Sequence, residues 1–497
     1  MTTHVEIRKG QYVDSVSLMQ VSAEVAAVDG VAKAQVAMAT ELNLDLLAQM
    51  GFDVPDEVTP NDMVIALVAE EASLKAALAA VEAAIAALGK SRTSATTSQE
   101  PTPRSTAWAA YVSGAPLALV SVPGPHAFSQ AAGALSAGSS VMVFSDNVPL
   151  PHEVRLKEMA AERGLLVMGP DCGTAIVNGT ALGFANVVAR GPVGVAAASG
   201  TGAQQLTSLL HAAGVGVSHC FGLGGRDLSE AVGGRSARAA LATLDADPET
   251  KLIVLVSKPP HPQVAEELRS YAATLSTPVQ FALLGAGQPT ITEAVESALT
   301  ALDESVPEWP QWLPQETAHP AEGGALRGLF AGGTLCDEAM LIASQTLGPI
   351  HSNIPLSPEL ALGADLRHDG HLMIDFGDDA LTQGRPHPMI DPALRLARLA
   401  EEATDPAAAV ILLDVVLGYG AQQDPAADLA PAITEARKVA ATDGRDLAVV
   451  VSLCGTDADP QGLRQQADAL TAAGAAVFLS NAAATSYAVD LVRGGVR

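Results

Sequence analysis

The feature that most constrains this chain is a recurring one: short, predominantly apolar runs, most of them followed by glycine, serine or aspartate, with helical stretches between them. Such runs occupy 117–122, 141–144, 165–168, 193–197, 252–256 and 279–284, and again 326–330, 373–376, 410–415, 447–452 and 476–479. Strands this short and this apolar have no continuous polar face to offer to water. They are buried on both sides, as parallel strands covered by crossover helices are. The alternation predicts a multidomain α/β protein built from doubly wound sheets. In open sheets of this kind ligands bind beyond the carboxyl ends of the strands, so the small-residue turns mark where chemistry is expected.

Two stretches poor in periodic apolar residues, 89–106 and 304–324, read as linkers. They divide the 497 residues into a small N-terminal α/β domain at 1–88, a Rossmann-like domain at 107–190, and flavodoxin-like domains at 191–303 and 325–497. In the first, strands are expected at 4–8, 32–39 and 62–69 and helices at 15–27 and 73–88.

The net charge of −27 argues against nucleic acid or an anionic membrane as partner. The four cysteines, Cys172, Cys220, Cys336 and Cys454, form no CxxC pair, which argues against a thiolate zinc site. Mean hydropathy is +0.25, yet Gly and Pro interrupt every long uncharged stretch, so no membrane span is expected. Glu6, Arg8 and Lys9 stand where a signal peptide would be apolar, and a cytoplasmic location is expected.

Several turns carry candidate chemistry. The strand at 193–198 runs into Ser199, Gly200, Thr201 and Gly202 and then a helix, and the strand at 326–331 runs into Gly332, Gly333 and Thr334 and another helix. Free N–H groups and the helix dipole make each turn a phosphate or carboxylate cradle, unless the turn is simply a capped helix start. Gly169–Thr174 contains Asp171 and Cys172, either a reactive thiol at a turn or a small buried residue. Gly224, Gly225 and Arg226, followed by Arg235, form a glycine-rich loop whose arginines suit a carboxylate or phosphoryl group, or surface ion pairs. Asp375, Asp378 and Asp379 after a strand suit Mg²⁺ or local turn hydrogen bonds. Nearby, Arg385 is a candidate anion clamp and His387 a candidate general acid or base. Asp414, inside an apolar run, needs a buried partner.

In order and spacing, GLLVMGPDCGT, GPVGVAAASGTG and GLGGRD resemble the α subunit of succinyl-CoA synthetase, and AGGTL, HLMIDFGDD and VILLDVVLGYG resemble the flavodoxin-like domain of its β subunit. Together with DSVSLM, MVFSDNV, VSKPP and GRPHPMIDP they resemble the FdrA-like family over nearly the whole chain. That resemblance implies a CoA-binding-type Rossmann domain and two flavodoxin-like domains, with the two cradles facing one phosphoryl group. CoA and Mg²⁺ are the cofactors it brings into question. The synthetase's phosphohistidine loop corresponds to residues 283–289 here, which hold no histidine, and its partner glutamate corresponds to Ser257-Lys258-Pro259-Pro260. No ATP-grasp domain is recognisable. The FdrA-like resemblance implies instead a subunit of an oxamate carbamoyltransferase, acting on phosphate or carbamoyl phosphate and a small amide acid within an oligomer with partner subunits. Two alternatives stand beside it: an acyl-CoA synthetase with its phosphoryl carrier at His261 or His387, and a non-catalytic subunit that binds CoA or an acyl metabolite.

Overall fold

The computed structural model describes the chain apart from residues 12, 14, 56, 94–102, 322, 383–384 and 495–497. It falls into two compact units, Met1–Thr102 with Asp379–Pro386, and Pro103–Asp378 with His387–Arg497.

The first unit carries β1 (Thr2–Arg8), α1 (Ser15–Ala26), β2 (Val31–Met38), α2 (Glu41–Gln49), β3 (Met63–Ala69) and α3 (Leu74–Thr93). The sheet is antiparallel with order β1-β3-β2. Alternation along β3 divides its side chains between two cores. Met63, Ile65 and Leu67 pack with Leu18, Val21 and Val25 of α1 and Val81 of α3, while Val64 and Ala66 pack with Leu47 and Phe52. Both faces of the sheet are therefore covered. The helix expected at 73–88 continues to Thr93, into the stretch read as linker.

The second unit begins with α4 (Thr106–Ser113), β4 (Leu117–Val120), α5 (Gly124–Ser136), β5 (Ser140–Val143), α6 (Leu150–Ala161) and β6 (Val167–Met168), whose strands form a parallel sheet in the order β4-β5-β6. Next come the hairpin β7 (Thr174–Val177) and β8 (Thr180–Gly183), then β9 (Arg190–Ala198), α7 (Gly200–Ala212), β10 (Val217–Gly222), α8 (Arg235–Asp245), β11 (Leu252–Ser257), α9 (Pro262–Ala272), β12 (Val279–Leu283) and α10 (Ile291–Ala301). These make a six-stranded sheet, β12-β11-β9-β10-β7-β8, in which β7 runs antiparallel to both of its neighbours and the other pairings are parallel.

The last sheet uses β13 (Gln311–Trp312), β14 (Ala325–Phe330), α11 (Gly333–Leu347), β15 (His351–Ser352), β16 (Leu372–Asp375), α12 (Asp379–Thr382, counted with the first unit), α13 (Ala393–Thr404), β17 (Ala408–Val416), α14 (Pro425–Thr442), β18 (Ala448–Cys454), α15 (Leu463–Ala472), β19 (Ala475–Phe478) and α16 (Asn481–Val492). Its order is β13-β19-β18-β17-β14-β16-β15. β13 lies in the proline-rich stretch read as a linker and pairs antiparallel with β19.

β9 is flanked by β10 and β11, and β14 by β16 and β17, so each is the strand where its sheet's order reverses. This is the switch point at which doubly wound folds bind ligands. Buried polar contacts hold the two large sheets together. Gln205 Nε2 donates to Leu479 O at 2.9 Å, Glu338 accepts from Ile291 N at 2.6 Å and from Asn481 Nδ2 at 2.7 Å, and Asn186 Nδ2 donates to Asp459 Oδ2 at 2.8 Å. Buried groups with their partners in place fix one relative position, because any shift would strand them in an apolar setting.

Candidate functional site

The two cradles meet. Ser199 caps α7, its Oγ accepting from Gly202 N at 2.9 Å, and the same Oγ lies 2.6 Å from Thr334 Oγ1 in the first turn of α11. The glycines permit this approach. A methyl group on Gly202 would lie 2.5 Å from Ser199 Oγ and 3.1 Å from Thr334 Cγ2, and one on Gly332 would lie 2.8 Å from Thr201 Cγ2. The N-cap of α11, Gly332, has no side chain to cap the helix, so the N–H groups of the first turn are the donors a ligand would meet. Gly200 is exposed and Gly333 partly so, whereas Ser199, Thr201 and Thr334 are buried. Two helix dipoles thus direct their positive ends at one place. Gly332→Ala is expected to leave the fold intact, since φ there is −110°, while forcing the helix ends apart against Thr201. Anion affinity should drop about tenfold, a loss of the order of one charge-assisted hydrogen bond, measurable by calorimetric titration with phosphate.

Asp414 holds the second cradle in shape. Its carboxylate accepts from Ala331 N at 2.6 Å and Gly332 N at 2.8 Å and pairs with Arg395 Nη1 at 3.2 Å, while Arg395 Nη2 donates to Asp414 O at 2.6 Å. Burial raises the Asp414 pKa, against Arg395 and the two N–H donors.

Lys258, just past β11, supplies a cation that sequence reasoning did not single out. A methyl on Gly333 would lie 2.8 Å from Lys258 Nζ and 2.5 Å from Asp375 Oδ2, so both groups crowd the start of α11. Burial works against the Lys258 ammonium, but Asp337, 3.6 Å away, and Asp375 outweigh it and raise its pKa. Asp375, the last residue of β16, is pushed by burial up to about 7, against Lys258 and the Gly377 N–H that its Oδ1 accepts at 2.9 Å.

His387 faces the same turn: a methyl on Gly377 would lie 2.8 Å from its Nε2 and 3.1 Å from Asp375 Oδ1. Its Nδ1 accepts from Met389 N at 3.2 Å, which places the hydrogen of the neutral ring on Nε2. Burial, and then Arg395, lower its pKa to about 4. His387 is therefore uncharged at neutral pH, with its Nδ1 taken by Met389 N–H. Phe184 lies between Phe144 and His387 in tilted contact with both, with ring centroids 5.8 Å and 5.9 Å apart, as an apolar wall.

The remaining candidates are used differently. Arg226 Nε donates to the buried Glu153 at 2.9 Å and its Nη2 to Val148 O at 2.8 Å. Glu153 also takes Lys157 Nζ at 2.8 Å, and Lys157 reaches Asp227 at 2.8 Å. Arg235 bonds Val232 O and lies 3.8 Å from Glu158. Both arginines answer carboxylates on α6 and are not clamps for a ligand. Gly224, at φ +84°, serves a chain crossing against Gly169 and Pro170, while Gly225 is open. Asp171 N donates to Ser145 O at 2.9 Å in that same crossing. Cys172 is buried and desolvation holds its thiol far above the ordinary range, so it is not an activated nucleophile. Arg385 is exposed and falls in the first unit. Among the described residues no group of three or more His, Cys, Asp or Glu is placed to hold a metal ion.

Comparison with known proteins gives the family to which this arrangement belongs. Residues 329–491 match the family model described as CoA-ligase, and residues 1–103 match that described as AllF, heavy metal-associated domain. The chain is 39% identical over 508 residues, 95% of each protein, to the uncharacterized protein YahF of Escherichia coli (strain K12). It belongs to the FdrA-like family, with a succinyl-CoA-synthetase-like body. It is also similar to the succinate–CoA ligase [ADP-forming] α subunit of Methanothermobacter thermautotrophicus, at 28% identity over 34% of this chain and 58% of that subunit. Among solved structures, the dinucleotide-forming acetyl-coenzyme A synthetase 1 of Ca. Korarchaeum cryptofilum matches at 15% identity over 77% of this chain and 85% of that one, with a TM-score of 0.28.

Two groups associated with these families are tested by the residues present. A heavy metal needs thiolates or imidazoles, and residues 1–103 contain no cysteine and a single histidine, His4, so the set does not fit and no step involves a metal there. A CoA pyrophosphate would approach the glycine turn after β4. There the chain at Gly124 passes tight against the backbone of Asp146 and Asn147, where only glycine fits, and no step is routed through CoA. No helix among the described residues is long and apolar enough to cross a membrane.

Proposed function

We propose that the chain is the phosphate-handling subunit of a carbamoyltransferase, one that interconverts oxalurate plus phosphate with oxamate plus carbamoyl phosphate, and that it works with partner subunits. The observation carrying this reading is the 2.6 Å contact between Ser199 and Thr334, which turns two separate helix starts into one anion site, with Lys258 beside it. The AllF description of the N-terminal match supports an allantoin-pathway role.

The site suits a free phosphoryl group better than a phosphorylated enzyme. Residues 283–289 offer no histidine. His387 has the hydrogen of its neutral ring on Nε2, the nitrogen beside the Gly377 turn, so no lone pair there is ready to attack phosphorus. The helix ends and Lys258 would bind the phosphate oxygens, and the His387 Nε2–H would donate to oxygen as charge develops. Exclusion of water by the Phe184 wall would limit hydrolysis of the carbamoyl product.

The test is the chain co-expressed with the proteins of its genomic neighbourhood, supplied with oxalurate and phosphate. Carbamoyl phosphate should form and should cease when this chain is omitted. A folded complex with no turnover, or acid-labile label on a histidine of this chain after incubation with labelled ATP and an ATP-grasp partner, would favour the acyl-CoA ligase reading.

A further inference from the structure

Asp375 is an acidic group beside the start of α11, next to Lys258, and its surroundings are unusual for a carboxylate. The residue closes β16, is 4% exposed and directs one oxygen to each side. Oδ2 approaches the start of α11 beside Lys258 Nζ, and Oδ1 accepts from Gly377 N beside His387 Nε2. Its backbone is clamped by Asn353, which accepts from Asp375 N at 2.9 Å and donates to Asp375 O at 2.8 Å. The carboxyl group therefore lies between the proposed phosphate position and a neutral hydrogen-bond donor, with little freedom to turn away.

We propose that Asp375 is the proton-exchanging group of this anion site, and that His387 serves beside it only as a hydrogen-bond donor. The proposal rests on the phosphate-handling reading and adds to it the group that moves the proton. In the transfer, a phosphate oxygen forms a bond to the carbamoyl carbon and the carbon–nitrogen bond of oxalurate breaks. The departing nitrogen takes the proton of the Asp375 carboxyl, and the carboxylate so formed receives the proton that phosphate gives up. Atoms and charge balance, and Asp375 ends as it began.

The charges facing Asp375 come from several elements: Lys258 after β11, Asp337 and the buried Cys336 thiol on α11, Asp414 on β17, Arg395 on α13, and the neutral His387. Burial leads, Asp414 and Asp337 act with it, and Lys258 and the Gly377 N–H oppose, leaving a pKa of about 7. Below that pH the carboxyl is neutral and can donate to a bound anion. Above it a carboxylate stands against the anion, so affinity must fall as pH rises. His387, at about 4, does not change charge across this window.

Sulfate tests this without a titration of its own over pH 5.5–9. Binding of sulfate to the intact chain is followed by calorimetry in buffers of different ionisation enthalpy. For one linked proton, wild-type affinity should be level below pH 7 and fall about tenfold per unit above it, with uptake of close to one proton per sulfate at pH 8.5. Asp375→Asn should bind with no pH dependence and no proton uptake. His387→Gln should keep the wild-type slope. Wild-type binding that is independent of pH and takes up no proton overturns the proposal and leaves the anion site standing, as does loss of the slope in His387→Gln. Absence of sulfate binding at every pH overturns both the proposal and the reading beneath it. Because the buffer series uses wild-type protein, the outcome does not depend on whether Asp375→Asn folds.

Discussion

Lys258→Ala is expected to raise the Michaelis constant for phosphate about 10- to 100-fold in the assembled enzyme, the range set by one or two lost charge-assisted hydrogen bonds at 1.4 kcal/mol per factor of ten. The side chain is 39% exposed and its one close ion-pair partner is Asp337 at 3.6 Å, so little of the fold depends on it. Its removal leaves Asp337 and Asp375 at the start of α11 with no cation facing the phosphate. Lys258→Arg should recover part of the affinity, since it keeps the charge. Steady-state kinetics against phosphate, with a thermal melt as control, reads the effect. An unchanged Michaelis constant would place the anion elsewhere.

Asp414→Ala is expected to destabilise the domain built on the seven-stranded sheet by about 3–5 kcal/mol, the usual cost of leaving one partner of a buried ion pair alone. Asp414 is fully buried, and its loss strands Arg395 together with the Ala331 and Gly332 N–H groups. A urea midpoint for that domain should fall accordingly. Combining Asp414→Asn with Arg395→Met should cost less than the two single changes added together, because no buried charge is then left unpaired. Additive costs would show that the pair is not coupled.

Much of the fold was legible because burial on both faces imposes its own pattern. The runs at 193–197, 252–256, 410–415 and 447–452 are the inner strands β9, β11, β17 and β18. Strands with mixed composition escaped. β10 reads Val-Ser-His-Cys-Phe-Gly, and the β7–β8 hairpin sits beside β10 at a sheet edge, where an apolar run is not required. In the site, the two cradles announced themselves through strand, small turn and helix start. Their meeting was implied only by the family resemblance and not by the residues themselves, since Ser199 and Thr334 are 135 residues apart and the packing of two sheets brings them together. Lys258 was hidden for the same reason. In Ser-Lys-Pro-Pro a lysine looks like an ordinary surface residue until the ends of β11, β14 and β16 are set side by side. Arg226 and Arg235 misled in the opposite sense. Glycine density suggested a binding loop, and the partner of Arg226, Glu153, lies 73 residues away on α6.

The most direct measurement is a calorimetric titration of the intact chain with carbamoyl phosphate. Saturable binding at one site per chain, displaced by inorganic phosphate and lost in Lys258→Ala, is the result expected if the facing ends of α7 and α11 form the phosphate site. A folded chain that binds neither ligand, or binds both equally well without Lys258, would contradict it.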